Sequence, residues 1–448
     1  MAPTNAAPNL LVIVTDEERE RCGFPASVRF PNRDRIAARG VSFTAHHAQA
    51  FPCTPSRATM FTGVHAGVTG MRDNVDFRWQ PAMSPSVPTL GHVLRGVGYK
   101  TAYKGKWHLG LDPDRPRSLD GFGFGYWDGT DMHGLPYEGW LRDGATAASA
   151  ADWLADHGAG TEPWCLVVSF VNPHDIMLYP RFRKPFVRDW GVDTPGGDSL
   201  STKPSVQKRW ARACDATSGR VWLPRTWRMI LNAYVDLHDM VDVHIGTVVD
   251  ALAVSGAEDR TVVVFTSDHG DMAGSHGLRQ KGAMLYRENV NVPLTVVWPR
   301  VTPPGSRCAV PTAATDLVPT LCSIAQAPVP DLPGRDLTPL LRDPMGPGVG
   351  RRDGVLVVSE SRSSMGLPRP PLVCDDPRGF LRGVVTSRFK FGRYFTPGRW
   401  DRRDLHDVEL YDLDSDPSEL TNRALDPAMR GVRDDLDALL AELVRTEL

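Results

Sequence analysis

Acidic, basic and imidazole side chains recur in this chain just past short apolar runs. Asp16 and Glu17 close the run NLLVIVTDE, Lys106 and His108 follow TAYKG, His174 follows WCLVVSFVNP, and Asp268 and His269 follow TVVVFTS. Carboxylates gathered at one place would first hold a cation. Hard ions such as calcium prefer their oxygens, and an imidazole in the set leaves room for manganese or zinc. Lys106, His108, His174 and the later Lys281 would add positive charge and protons, which suits an anionic, oxygen-rich substrate. Among these residues stands FPCTPSR (51–57), where a cysteine, two prolines, a serine and an arginine crowd ahead of the helix-like ATMFTG. A thiol that only filled a core would need no such company. A single strand-end aspartate is ordinarily a turn or helix cap. The collection of these groups behind successive strands is what argues for a site.

The elements that must bring them together can be read from the apolar pattern. NLLVIVTD (9–16), PWCLVVSFVNPHD (163–175), TVVVFTSDHGD (261–271) and VPLTVVW (292–298) read as strands, the first as a central run buried on both faces and the second as another buried strand. NRDRIAARG (32–40), the start of 90–110, 229–256 and 316–325 read as helices, several with a glycine stop, and GVSFTAHHAQA (40–50) reads as strand-like. Strand and helix alternate to about residue 330, which predicts an α/β fold: a large, mostly parallel sheet flanked by helices. In such sheets ligands bind beyond the carboxyl ends of the strands. The pattern then changes. Strands follow closely at 354–359, 379–387, 389–395 and 409–413, and an amphipathic helix spans 430–448. The expected division is a catalytic unit over 1–345 and a smaller C-terminal α+β subdomain with an antiparallel sheet over 346–448, joined by the linker PMGPGVG (344–350). Residues 176–224 show no clear period and read as an insertion of loops and short elements near the substrate pocket. His46 and His47 read as strand residues, and the tryptophans of 190–227 as loop packing.

Composition sets outer limits. The chain has 448 residues, 41% hydrophobic and 23% charged, with a formal net charge of -2. That is an ordinary globular composition with no case for a nucleic-acid or membrane partner. Its 7 cysteines are scattered, without C-x-x-C spacing, against a disulfide framework or a cysteine-bound zinc. The first apolar run is too short for a membrane span and lacks a basic stretch before it, so the expected location is cytoplasmic.

At CTPSR the sequence resembles the C-x-P-S-R signature of the type I, formylglycine-dependent sulfatases of the alkaline phosphatase superfamily. The resemblance continues through PNRDRIAARGVSFTAHHAQAFPCTPSRATMFTG, GYKTAYKGKWHLG, NPHD, TSDHGD, KGAMLYRENVNVPL and ELYDLDSDPSELTN, in the family's order. It covers essentially the whole chain; the 176–224 segment matches no motif.

The resemblance implies a sulfate monoester hydrolase. Cys53 would be oxidised after translation to formylglycine by a formylglycine-generating enzyme, and the hydrated aldehyde would be the nucleophile. Arg57 would hold that group. Asp16, Glu17, Asp268 and His269, with position 53 itself, would bind a divalent metal, calcium first, with manganese or magnesium as alternatives. Lys106 and Lys281 would stabilise non-bridging oxygens. His174, with or without Lys281, would protonate the leaving alcohol, and His108 would accept a proton in the second half of the reaction. Asn74 would sit close to metal and substrate, so Asn74, Lys106, His174 and Lys281 are the expected substrate contacts. Many members carry two adjacent aspartates where this chain has Asp16-Glu17, so Glu17 is expected either to ligate the metal or to stand just behind it. Related branches with C-x-P-S-R cleave phosphonate monoesters and phosphate diesters, which leaves that activity as an alternative. A non-catalytic, never-matured binding protein is the other.

Overall fold

The computed structural model describes residues 7–21, 24–132, 136–181, 187–193, 198–221, 223–346, 352–361 and 378–448. Cys22, Cys374 and most of the expected 344–350 linker lie outside them.

A run of four or more β-branched and leucine residues has no polar side to turn to water, so it is stable only between two layers. β1 (Asn9–Asp16) is buried along its whole length. Leu10, Val12 and Val14 join one core, while Leu11 and Ile13 join another on the opposite face. Around it lie β2 (Val41–Phe43), β3 (His46–His47), β4 (Lys100–Lys106), β5 (Gly125–Thr130), β6 (Trp164–Pro173), β7 (Thr261–Ser267), β8 (Leu294–Val297), β9 (Ser306–Cys308) and β10 (Thr312–Ala313). The main sheet has eight strands in the order β5-β4-β6-β1-β7-β8-β2-β9. Helices Glu138–His157 and Pro224–Val254 cover one face, through Leu154, Val241, Ile245 and Val248. Helices Cys53–Thr62, Leu90–Gly96 and Leu317–Ile324 cover the other. The predicted α/β architecture is the one observed.

β8 runs antiparallel to both β7 and β2. Its short apolar pattern predicts burial but carries no direction. The consequence is functional: the loop 268–293 leaves β7 and re-enters β8 at the same sheet edge. The expected strand at 40–50 splits into β2 in the main sheet and β3, which pairs with β10 in a separate ladder. The helix expected at 229–256 begins earlier, at Pro224, where a proline in the first turn loses no intrahelical bond. The 176–224 segment contains a 14-residue helix, Ser205–Ser218, that the sequence reading took for loops and short elements.

β11 (Val355–Ser359), β12 (Phe380–Val385), β13 (Phe389–Phe395) and β14 (Asp407–Asp412) form a four-stranded antiparallel sheet in sequence order, as expected. Helix Arg430–Glu447 packs on it through Leu436 and Leu440. This sheet braces the chain that leads to Cys53. Val358 N–H donates to the Gln49 carbonyl at 2.7 Å, and Gln49 Nε2 donates to the Leu356 carbonyl at 3.0 Å.

Candidate active site

Asp16 is the last residue of β1, and Asp268 follows β7, the neighbouring parallel strand. In-register parallel strands end side by side, so two carboxylates far apart in sequence become neighbours. Cys53 is the first residue of its helix, and Arg57, one turn later, lies on the same face. All four are buried. Arg57 Nε donates to Asp268 Oδ2 at 3.0 Å and Nη2 to Asp16 Oδ2 at 3.3 Å. Its Nη1 reaches the Lys106 carbonyl at 2.8 Å and Ser169 Oγ at 3.0 Å. Burial alone would weaken the Arg57 charge. The carboxylates of Asp268 and Asp16 outweigh it and hold the guanidinium above its usual pKa.

His269 has a defined tautomer. Its Nδ1 lies 3.1 Å from the Gly270 carbonyl, an acceptor only, so Nδ1 carries the proton. Nε2 then turns its lone pair toward Cys53 Sγ at 3.2 Å, Asp268 Oδ1 at 3.8 Å and Asp16 Oδ1 at 4.0 Å. Burial lowers the His269 pKa and keeps the ring neutral. One donor atom from each of Asp16, Cys53, Asp268 and His269 lies within 4.8 Å of the others. Glu17 does not join that group. Its carboxylate groups instead with Asp16 and His174.

Positive charge rings the cluster. Lys106 Nζ lies 2.6 Å from Asp16 Oδ2. Burial opposes the Lys106 charge, but Asp16 outweighs it, and the pKa is raised. The glycine before it has a geometric reason. Gly105 adopts φ 93°, and a Cβ there would meet the Ser169 carbonyl oxygen at 2.0 Å. Lys281 Nζ donates to Glu17 Oε2 at 2.7 Å, and His174 Nε2 is 3.6 Å from the same oxygen. Burial again opposes the Lys281 charge, while Cys53, Glu17 and Asp16 more than offset it. Glu17 takes this direction because its backbone is left-handed, at φ 70°. Tyr234 Oη donates to its carbonyl and accepts the Arg19 N–H.

His108, two residues past the end of β4, is buried, and its Nε2 lies 2.7 Å from Asp76 Oδ2. Asn74 Oδ1 accepts the Thr54 N–H at 3.1 Å, which ties the 72–80 loop to the residue after Cys53. His46 and His47 lie in β3, as expected, with His46 on Thr312 and its pKa lowered by burial to about 3.

A family model described as Sulfatase matches residues 8–327. The chain belongs to the sulfatase family. This sulfatase is 29% identical over 479 residues to an uncharacterized sulfatase, YidJ, of Escherichia coli (strain K12), covering 97% of this chain and 86% of the relative. It is 27% identical over 471 residues to a choline-sulfatase of Rhizobium meliloti (strain 1021), covering 95% and 84%. The crystal structure of a phosphonate monoester hydrolase of Agrobacterium radiobacter shares its fold, with a TM-score of 0.75 at 24% identity over 98% of this chain and 96% of the other. The family fits the alkaline phosphatase superfamily, and the protein is a sulfuric ester hydrolase.

Sequence reasoning missed several groups that position the sulfatase site. Ser169 braces Arg57, Asp76 pairs with His108, and Tyr234 fixes Glu17. The run TDEERER held a signal for another. Glu18 forms a buried ion pair with Arg33 at 2.7 Å, and Arg33 also reaches Asp242 at 3.2 Å. Burial pushes the Glu18 pKa up, but Arg33 and His238 outweigh it and hold it at about 2, against an ordinary 4.5. The folded pKa is depressed, so its stabilisation is complete above pH 4.5 and is lost as pH falls toward 2. That contribution is about 3 kcal/mol at neutral pH. In Glu18→Gln the acid-dependent part should vanish, leaving a protein already weaker at pH 7. Urea unfolding across pH 2–7 measures this, and an unchanged acid limb would remove Glu18 from the account.

Proposed function

We propose that this sulfatase hydrolyses a small or medium alkyl, aryl or sugar sulfate at Cys53, matured to formylglycine, beside a divalent ion. The observation that carries this reading is the convergence of Asp16, Cys53, Asp268 and the His269 Nε2 lone pair. Acceptor groups brought face to face in a buried site call for a cation, and two carboxylates with a neutral imidazole suit a hard or borderline divalent ion. Asp16, Asp268 and His269 would hold it together with the oxygen at position 53; calcium comes first, with manganese and magnesium behind. Glu17 stands behind this group, on Lys281. A bound ion supplies Lewis-acid charge that lowers the pKa of a hydroxyl and screens the sulfuryl oxygens. Hydrated formylglycine supplies a pair of geminal hydroxyls, one to attack sulfur and one whose proton loss releases sulfate.

The chain's own residues do the rest. Arg57 fixes the two carboxylates and places a permanent positive charge one helical turn from position 53. Lys106 and Lys281 bind the non-bridging oxygens of the ester and gain most as negative charge shifts there. His174, beside Lys281, delivers a proton to the departing alcohol, and His108 accepts one in the second half of the cycle. The insertion supports a wall on the leaving-group side. Met177 Sδ lies 3.8 Å from Lys281 Nζ. Gln280 Nε2 donates to the Met177 carbonyl at 2.6 Å and to Ser218 Oγ at 3.1 Å. Trp210 Nε1 donates to the Arg279 carbonyl at 2.8 Å, and its ring fills the space a Cβ on Gly282 would need.

The test uses aryl sulfate, phosphonate monoester and phosphate diester substrates sharing one leaving group. The sulfate should give the highest kcat/KM on protein whose Cys53 peptide has lost mass relative to the thiol. A higher kcat/KM on the phosphonate or the diester would transfer the assignment to those hydrolases. Matured protein that turns over none of them would leave a binding protein.

A further inference from the structure

His108 and Asp76 come from segments 32 positions apart, yet Nε2 and Oδ2 meet at 2.7 Å. We propose that Asp76 is a positioning residue that orients His108 through an Nε2–H···carboxylate bond, forming an Asp–His dyad with Nδ1 as the basic nitrogen. The inference rests on the assignment of His108 as a proton acceptor.

Three observations carry it. First, the contact belongs to a closed circuit around the start of the catalytic helix. Asn74 Oδ1 accepts the Thr54 N–H, Thr54 Oγ1 donates to the His108 carbonyl at 2.6 Å, and Val75 N–H reaches Thr54 Oγ1 at 3.4 Å. The 72–80 loop is thereby held so that Asp76 faces the ring. Second, the imidazole is completely buried, while the Asp76 side chain is 24% exposed. Exposed ion pairs contribute little, but a carboxylate on a buried imidazole selects which nitrogen carries the proton. Third, the positive groups around position 53 each have a carboxylate: Lys106 has Asp16, Lys281 and His174 have Glu17, and Arg57 has Asp16 and Asp268. Asp76 completes that pattern for His108. A carboxylate held on one ring nitrogen fixes the tautomer in which the other is free to take a proton, and it stabilises the imidazolium that results.

The first arm needs no turnover. In metal-free Cys53→Ala protein labelled with 15N-histidine, His108 should show a downfield, exchange-protected Nε2-bound proton, assigned by its loss in His108→Gln. Asp76→Ala should abolish the protection. A ring protonated only at Nδ1, or protection unchanged by Asp76→Ala, overturns the dyad. The second arm is kinetic, on matured, metal-loaded enzyme with an aryl sulfate. Asp76→Asn should lower kcat at least about tenfold with KM within about threefold, while Asp76→Glu recovers part of the loss. Wild-type kcat in Asp76→Asn overturns the proposal, as does a loss confined to KM. If the protected Nε2 proton is present but the parent hydrolyses no sulfate ester, the sulfatase reading of the site fails and the dyad stands.

Discussion

Cys53→Ala is expected to lower sulfate ester hydrolysis by about 10,000-fold or more while leaving the fold intact. No second nucleophile stands in the cluster. The sulfur contacts Asp16, whose Oδ1 is 3.7 Å away, and His269, whose Nε2 is 3.2 Å away, and both belong to the proposed metal-holding group. Lys106 and Lys281, the proposed binding groups, survive the substitution, so a sulfate ester should still bind. The fold should survive because alanine is a better helix former than cysteine and the lost volume is one sulfur atom. Thermal unfolding should shift by less than about 4 °C. Steady-state rates on an aryl sulfate, read beside the melting curve, separate the two effects. Turnover within tenfold of the parent would remove Cys53 from the chemistry. A collapsed melting curve would instead make it a packing residue.

Arg57→Met should produce the largest loss of stability among single changes at the site. The guanidinium has no solvent exposure and makes two carboxylate contacts and two neutral ones. Methionine fills similar space but leaves the Asp268 and Asp16 charges short of a partner. Removing one member of a buried ion cluster costs about 3–5 kcal/mol. The loss should be greatest in protein stripped with a chelator. A divalent ion that binds the folded state adds about 2.7 kcal/mol at a concentration 100 times its Kd, so saturating ion should recover part of the deficit. Urea unfolding of parent and variant, with and without calcium, gives the full comparison. Stripped Arg57→Met within 1 kcal/mol of the stripped parent would show that the carboxylates do not depend on this arginine.

How far the sequence alone reached follows from which constraints are local. Burial of β1 on both faces is written in every residue of LLVIV, so the strand and its polar end at Asp16 could be read directly. The same holds for β7 and Asp268, and parallel pairing then makes the two ends meet. The direction of β8 could not be read, because a short apolar run looks the same both ways. Helix Ser205–Ser218 did leave a trace, the apolar stripe Val206, Trp210, Ala213 and Cys214, but the polar residues between them masked it. The orientation of Glu17 depends on a left-handed backbone held by Tyr234, 217 positions away. Nothing near either residue in sequence signals that pairing. Asp76 lay two places beyond Asn74 in a segment already singled out, but only the approach of the 72–80 loop to β4 turns it toward His108.

Cys53 sits at the floor of all this with no accessible surface, under a helix start whose neighbours Phe51, Thr54, Ser56 and Arg57 are also sealed from solvent. An enzyme that converted this thiol to an aldehyde would have to grip the surrounding residues as well as the sulfur, and of residues 51–57 the folded molecule leaves only Pro52 partly exposed. If Cys53 is matured as proposed, its oxidation would have to precede closure of the α/β layers, on nascent or unfolded chain. A host's capacity to make active protein would then depend on a race between modification and folding, and protein that folded first would stay locked as the thiol form.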